Sequence, residues 1–283
     1  MRSIISADKS HDTEILLLGG GGRLGRMLRQ HWPGEKQPLV QSRQPGDGVL
    51  CIDPLGAPDA LAAASAAAKV VICLAGVTVA HARASGDDMA LNTDLALAAV
   101  RAAPKGTRIF LASSAAVYGA AEGPHLEEAA VTPVAMYGHA KRAMEVAALA
   151  QGGGRVCVLR IGNVAGADAI LGGWHSAMAL DQFPDGRTPR RSYIGPKTLA
   201  QVIHALCHAP TVPDILNIAA PGATQMGTLL DAAGLGWTAR LPAGDVIEEV
   251  LMDTTKLAAL YRFTDDECTA RGMVRQWRES TMV

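Results

Sequence analysis

Glu14-Ile-Leu-Leu-Leu-Gly19 is an unbroken apolar run that ends in a string of glycines, Gly19 to Gly22, with another at Gly25. An apolar run without polar alternation fits a strand covered on both faces, as in a parallel sheet. Glycine tolerates the backbone angles and close approaches of a very tight passage. From about Gly22 to Trp32 the chain reads as helix, stopped by Pro33 and Gly34. Strand, glycine turn and helix in that order form the opening unit of a sheet whose strands are joined by helical crossovers.

The unit repeats. Further strands are expected at Pro38–Ser42, Val49–Asp53, Lys69–Ala75, Arg108–Ser113 and Arg155–Arg160, with helices at Pro58–Ala68, Asp87–Ala103 and Tyr137–Ala150. The alternation predicts an α/β fold, a Rossmann-type doubly wound parallel sheet with right-handed crossovers. After Gly166 it degrades, and residues 167–190 are rich in glycine, proline and other turn formers. A helix at Thr198–His208, a strand at Ile215–Ile218 and helices near Met226–Ala233 and Asp253–Leu260 complete the expected order.

Hydrophobic residues make up 49% of the 283, enough for a substantial core. Basic and acidic residues balance at 26 and 27, and aromatics are only 4%, so neither a charged footprint nor a stacking surface for nucleic acid is present. The cysteines, at 51, 73, 157, 207 and 268, form no Cys-x-x-Cys pair and read as reduced thiols. The first dozen residues are too polar for a signal peptide and read as a loose tail. No apolar stretch is long enough to span a membrane without charge or glycine. These features predict a cytoplasmic protein with no membrane, nucleic-acid or metal partner.

Gly19 to Gly25 can be read as Gly20-x-Gly22-x-x-Gly25 or as Gly19-x-x-Gly22-x-x-Gly25, with Arg23 and Leu24 between the last two glycines. In either register glycine lets the backbone approach a pyrophosphate lying at a helix N-terminus. An acidic residue at the end of the second strand would favour NAD, and an arginine would accommodate the 2′-phosphate of NADP. The chain has Ser42 and Arg43 there and no acid until Asp47, so NADP is the preferred cofactor, with NAD as the other possibility.

Downstream stands Tyr137-Gly-His-Ala-Lys141. Tyr and Lys four apart on a helix share a face. An ammonium beside a phenol favours the phenolate, so Lys141 is expected to lower the Tyr137 pKa and ready it for proton exchange with a substrate hydroxyl. Ser114 could bond the same oxygen.

Together these pieces resemble the extended short-chain dehydrogenase/reductases of the NAD-dependent epimerase/dehydratase type. The resemblance rests on Gly19-Gly-Gly-Gly-Arg-Leu-Gly25, Leu74-Ala-Gly76, Asn92, Ser114-Ala-Ala-Val-Tyr-Gly119, Tyr137-x-x-x-Lys141, Arg160-Ile-Gly-Asn163 and Arg191-Ser-Tyr-Ile194, and fades after about residue 220. It implies hydride transfer at a secondary alcohol or ketone carbon, with Tyr137 as acid/base, Lys141 also bonding the nicotinamide ribose, and Ser114 polarising the substrate oxygen. It implies further cofactor contacts from Asp53 to the adenine, from Leu74, Ala75 and Gly76 along phosphate and ribose, and from Asn92 on the lysine side. Asn163 and Arg191 would face the substrate, a small molecule such as a sugar or nucleotide sugar, with Arg191 meeting an anion. The family fold implies a dinucleotide-binding domain of residues 1–166 and 191–220 and a small substrate lobe of 167–190 and 221–283. Pairing into a homodimer through the helices beside the sheet is common in such proteins.

The chain departs from the family pattern in places. Sugar dehydratases carry an acidic pair after the Ser/Thr position, where this chain has Ala115 and Ala116. Gly195, Pro196 and Lys197 replace a usual Val-Asp pair and are expected to alter the wall of the lobe. The C-terminal part looks short for a nucleotide-sugar enzyme, which suggests a smaller substrate. The alternative function is a non-catalytic dinucleotide-binding regulator, although such relatives usually lose the Tyr or the Lys. His204 and His208 have helical metal-pair spacing but no third ligand, and read as a solvated face. His125, Glu127-Glu128 and Asp265-Asp266-Glu267 read as ordinary surface.

Overall fold

The first apolar run becomes β1 (His11–Leu18), and the glycines lead into α1 (Arg23–Gln30). A computed structural model describes residues 11–121, 123–244 and 246–281; residues 1–10, most of the expected tail, lie outside the described residues. The chain continues through β2 (Gln37–Ser42), β3 (Val49–Cys51), α2 (Pro58–Ser65), β4 (Val70–Cys73), α3 (Val79–Ser85), α4 (Leu91–Ala102), β5 (Arg108–Ser114), α5 (Met136–Gly152) and β6 (Val156–Ile161). Then come β7 (Asn163–Val164), β8 (Ala179–Asp181), β9 (Arg190–Arg191), β10 (Tyr193–Ile194), α6 (Pro196–His208) and β11 (Ile215–Ile218). The last elements are β12 (Thr224–Gln225), α7 (Met226–Ala232), β13 (Thr238–Arg240), β14 (Glu249–Val250), α8 (Thr255–Ala258) and α9 (Ala270–Thr281).

Among the described residues, seven strands form one sheet in the order β11-β6-β5-β4-β1-β2-β3, every pairing parallel. This is the doubly wound α/β architecture expected from the alternation. Alternate side chains of β5 show how both faces are filled. Phe110 enters a core with Met27 and Leu28 of α1 and Leu199, Val202 and Ile203 of α6. Ile109 and Leu111 enter the opposite core, with Leu61 of α2, Val100 of α4 and Met144 and Ala148 of α5.

A third core gathers Ile170, Leu171, Leu180, Leu229, Leu230, Met273 and Val274 beside the main sheet. Strand β9 joins β12 and β14 there, and β8 joins β13. Helix α9 packs on both α6 and α7, and α8 packs on β11.

Several local expectations are corrected. Helix α3 was not foreseen; the Thr78 hydroxyl caps it by accepting from the His81 N–H at 3.2 Å. Helix α6 starts at Pro196, two residues early, because proline suits a first turn whose N–H has no helical partner. Gly195 and Pro196 therefore serve the α6 N-terminus, where a Cβ on Gly195 would sit 2.1 Å from Gln276 Oε1. His125 is buried and stacks on Tyr118 with centroids 4.5 Å apart. Glu127 is also buried and accepts the Asn217 N–H at 3.1 Å, while Glu267 accepts from the Tyr261 hydroxyl and the Thr264 N–H, each at 2.8 Å.

Candidate active site

The strands β1 and β4 lie side by side, and from them the sheet is built outward in opposite directions. A crevice opens at the carboxyl ends of such strands. The glycine passage fills its floor. Gly19 has φ +79°, and a Cβ on it would lie 2.5 Å from the Ala75 nitrogen. A Cβ on Gly25 would lie 2.5 Å from the Gly19 oxygen and 2.6 Å from the Gly20 Cα. Gly22 differs: its nearest contact would be an ordinary 3.4 Å, so its face is open. Gly22 is also the N-cap of α1 and offers no side chain to the first-turn amides. Open amide donors at the positive end of a helix suit an anion.

Above this floor is a cavity of about 1030 Å³. Among the sequence candidates, Gly19, Gly22, Arg23, Leu24, Gly25, Leu74, Gly76, Ser114, Tyr137, Lys141, Asn163 and Arg191 line it. The other five stand behind or beside its walls. Ala75 packs against Gly19. Asn92 is fully buried, accepts the Val77 N–H at 3.2 Å and donates to the carbonyls of Val77 and Met89, so it fixes the loop after β4. Ser42 lies against the glycine passage, where a Cβ on Gly21 would sit 2.5 Å from its hydroxyl. Arg43 is exposed. Asp53 is exposed and accepts the Leu55 N–H at 3.2 Å.

Ser114 ends β5 and begins a short turn, its hydroxyl accepting the Ala116 N–H at 3.2 Å. The start of α5 is pressed onto that turn, since a Cβ on Gly138 would meet the Ala116 oxygen at 2.4 Å. Tyr137 lies next to that contact, near enough to Ser114 for the serine to act on its pKa. One turn on, Lys141 is buried, with Nζ 5.8 Å from the Tyr137 ring centroid and donating to the Ala112 carbonyl at 2.9 Å. Burial lowers the Lys141 pKa to about 8, opposed by the charges of Cys73 and Glu145. Burial also raises the Tyr137 phenol, and the hydrogen bond with Ser114 only partly offsets it. The expected direction for Tyr137 is therefore reversed: desolvation dominates, and it is Ser114 that pulls the phenol down.

Arg191 also departs from expectation. Its Nη1 donates to the carbonyls of Arg190 and Glu248 at 2.7 and 3.1 Å, and its Nη2 to that of Ile247 at 2.8 Å. It clips residues 247–248 onto β9, leaving Nε and one Nη2 hydrogen for anything in the cavity. Sequence reasoning missed other wall residues: Thr78, the cap of α3, His81 within it, Asp168, and Ile247 and Val250. The Thr78-x-x-His81 spacing of an N-cap was the one readable signal. Gln41 was also missed; buried at the end of β2, it accepts the Gly19 N–H at 3.0 Å through Oε1 and braces the passage. Among the described residues no group of three or more His, Cys, Asp or Glu side chains could hold a metal, and no helix is long and apolar enough to cross a membrane.

Solved structures share this fold. The UDP-N-acetylglucosamine 4-epimerase from Bacillus cereus superposes with a TM-score of 0.74 at 18% identity, covering 95% of this chain and 99% of that one. MoeE5 in complex with UDP-glucose and NAD gives 0.70 at 18%, covering 94% and 99%. DesIV, a dTDP-glucose 4,6-dehydratase from Streptomyces venezuelae with NAD and TYD bound, gives 0.70 at 17%, covering 94% and 97%. The chain thus spans nearly the whole of each, and the expected shortness of its C-terminal part, with the smaller substrate inferred from it, is withdrawn. A search of curated proteins gives no match. Residues 15–219, well over half of the chain, match the NAD dependent epimerase/dehydratase family, and the protein belongs to that family of enzymes.

Proposed function

We propose that the protein is an NADP-preferring oxidoreductase or epimerase that transfers hydride at a secondary alcohol or ketone carbon of a sugar or nucleotide sugar, with Tyr137 as acid/base. One observation carries the reading: Ser114, Tyr137 and Lys141 line the same cavity as the open face of Gly22. The residues present fit a dinucleotide, because side chains are excluded from the passage where a pyrophosphate would approach. When bound, the nicotinamide accepts or supplies the hydride.

The chain's own groups handle the proton. A phenol whose pKa is raised by burial keeps its proton at neutral pH and can donate it to a ketone oxygen as that oxygen gains charge. Ser114 holds the same oxygen and, in the reverse direction, stabilises the phenolate. Lys141 would bond the nicotinamide ribose of a bound dinucleotide and compensate the phenolate charge. Asn163 faces the reacting sugar, and Arg191 offers its remaining N–H groups to a substrate anion. Ala115 and Ala116 provide no additional acid, so elimination of water is not supported.

The end of β2 supports NADP. Ser42 stands against the passage, Arg43 is exposed beside it, and Asp53 is turned to its own loop. A charged hydrogen bond to a 2′-phosphate contributes about 1.5–3 kcal/mol, so fluorescence titration should find NADPH bound roughly ten- to hundredfold more tightly than NADH. Equal affinities would remove the NADP preference and leave the family's NAD.

Lys141 sets a pH limit. With its pKa lowered to about 8, it is charged below that pH and neutral above it. The rate should therefore fall as pH rises through about 8, in a pH profile of kcat/KM. Stability moves oppositely: between about 8 and the ordinary lysine value only the unfolded chain holds the proton, so folding gains as pH rises there.

A further inference from the structure

Tyr137, Lys141 and Glu145 recur at every fourth residue along α5 and so share one face. Glu145 is fully buried, one turn of α5 beyond Lys141, which lines the cavity together with Tyr137. Its Oε1 accepts the Ser113 hydroxyl at 2.6 Å and Arg160 Nε at 3.1 Å; its Oε2 accepts Arg160 Nη2 at 2.9 Å and Arg142 Nη1 at 3.3 Å. Arg160, only 1% exposed, also donates Nη1 to the Tyr118 hydroxyl at 3.0 Å and to the Glu127 carbonyl at 2.9 Å.

These bonds join three elements. Ser113 belongs to β5, immediately before Ser114; Glu145 belongs to α5; Arg160 belongs to β6 and pairs in register with Ser113. The Lys141 bond to Ala112 is a second tie between α5 and β5, one turn away. Stability alone is a poor reason for this arrangement, since a well-packed apolar pair of the same volume is often at least as stable as a buried ion pair. What an apolar pair cannot supply is direction, and a two-pronged guanidinium–carboxylate contact fixes distance and angle together.

We propose that Glu145, clamped by Arg160, is a positioning residue for the acid–base group: through Ser113 it sets the end of β5 that carries Ser114 against the face of α5 that carries Tyr137 and Lys141. The proposal rests on the reading of Tyr137 as acid/base. The charged and polar groups facing Glu145 are Lys141 and Arg142 from α5, Arg160 from β6 and Ser113 from β5.

The test uses the full chain saturated with NADPH, with tyrosine ring carbons labelled by ¹³C. The chain has 4 tyrosines, so the Tyr137 resonance is assigned by its loss in Tyr137→Phe, and Tyr193 and Tyr261 serve as controls. Glu145→Gln and Ser113→Ala should each move the Tyr137 resonance while leaving the two controls in place. In Glu145→Gln, competitive acetylation read by mass spectrometry should find Lys141 titrating at lower pH, because a charge that holds its proton is gone. Arg160→Lys keeps that charge, so it should leave Lys141 near its native titration and still move Tyr137. A fall in melting temperature with Tyr137 and Lys141 unmoved in these variants would make the network merely structural and overturn the proposal. Should Glu145→Gln fail to fold, Ser113→Ala carries the decision, since it leaves the ion pair intact: an unmoved Tyr137 signal there refutes the positioning role. Full turnover by Tyr137→Phe would instead sink the acid/base reading, a separate result.

Discussion

Tyr137→Phe is expected to lower kcat by about 10²–10⁴-fold while cofactor affinity stays close to the native value. The change deletes one oxygen and leaves the ring beside Lys141. Lys141 keeps its bond to Ala112, Ser114 keeps its bond to the Ala116 amide, and the glycine passage is untouched. Only the proton transfer is lost, and Ser114 is a poor substitute because an ordinary hydroxyl gives up its proton far less readily than a phenol. The measurements are steady-state turnover and a fluorescence titration with NADPH. A matching loss of cofactor binding would mean that the substitution disturbed the cavity, and the rate loss would then say nothing about the proton.

Gly25→Ala should cost about 1–3 kcal/mol of stability and remove detectable cofactor binding. Its new methyl would enter backbone atoms of Gly19 and Gly20, at 2.5 and 2.6 Å, and backbone cannot rotate away as a side chain can. The passage would have to spread, and the α1 amides would leave their aim. Gly22→Ala is the informative partner. Its methyl meets nothing closer than 3.4 Å, so thermal denaturation should find it nearly as stable as the native chain, while titration finds the dinucleotide blocked. If both variants fold and bind NADPH normally, the passage is not the pyrophosphate site.

The sequence made the sheet legible for a simple reason. Strands such as Leu16–Leu18 and Val70–Cys73 are buried on both faces, so they appear as apolar runs that need no partner to be recognised. Helix α3 was hidden because Val-Ala-His-Ala-Arg-Ala-Ser has no apolar stripe and buries none of its residues. Charged residues misled most. Glu127 and Glu267 look like surface in a list of residues, yet each is buried because Asn217 in one case and Tyr261 and Thr264 in the other arrive from elements far along the chain or across a turn. Glu145 likewise owes its burial to Arg160, which reaches it from β6.

The site itself was partly legible. Fixed spacings carried Gly19–Gly25 and Tyr137–Lys141 to one cavity. The Tyr137 pKa direction was not legible, because it depends on desolvation, which exists only once α5 has closed on the turn after Ser114. Arg191 was likewise visible as a cation but not as a clip, since two of the three carbonyls it holds, those of Ile247 and Glu248, lie more than fifty residues away.

Hydride transfer in a single turnover bears most directly on the central claim. Native protein and Tyr137→Phe, each loaded with oxidised cofactor, would be mixed with a panel of nucleotide sugars and followed at the absorbance of reduced nicotinamide. The account predicts a transient or lasting signal from native protein with at least one sugar, and one slowed by about 10²–10⁴-fold from Tyr137→Phe at equal cofactor occupancy. Tight cofactor binding with no signal from any sugar, or an undiminished signal from the variant, would contradict it.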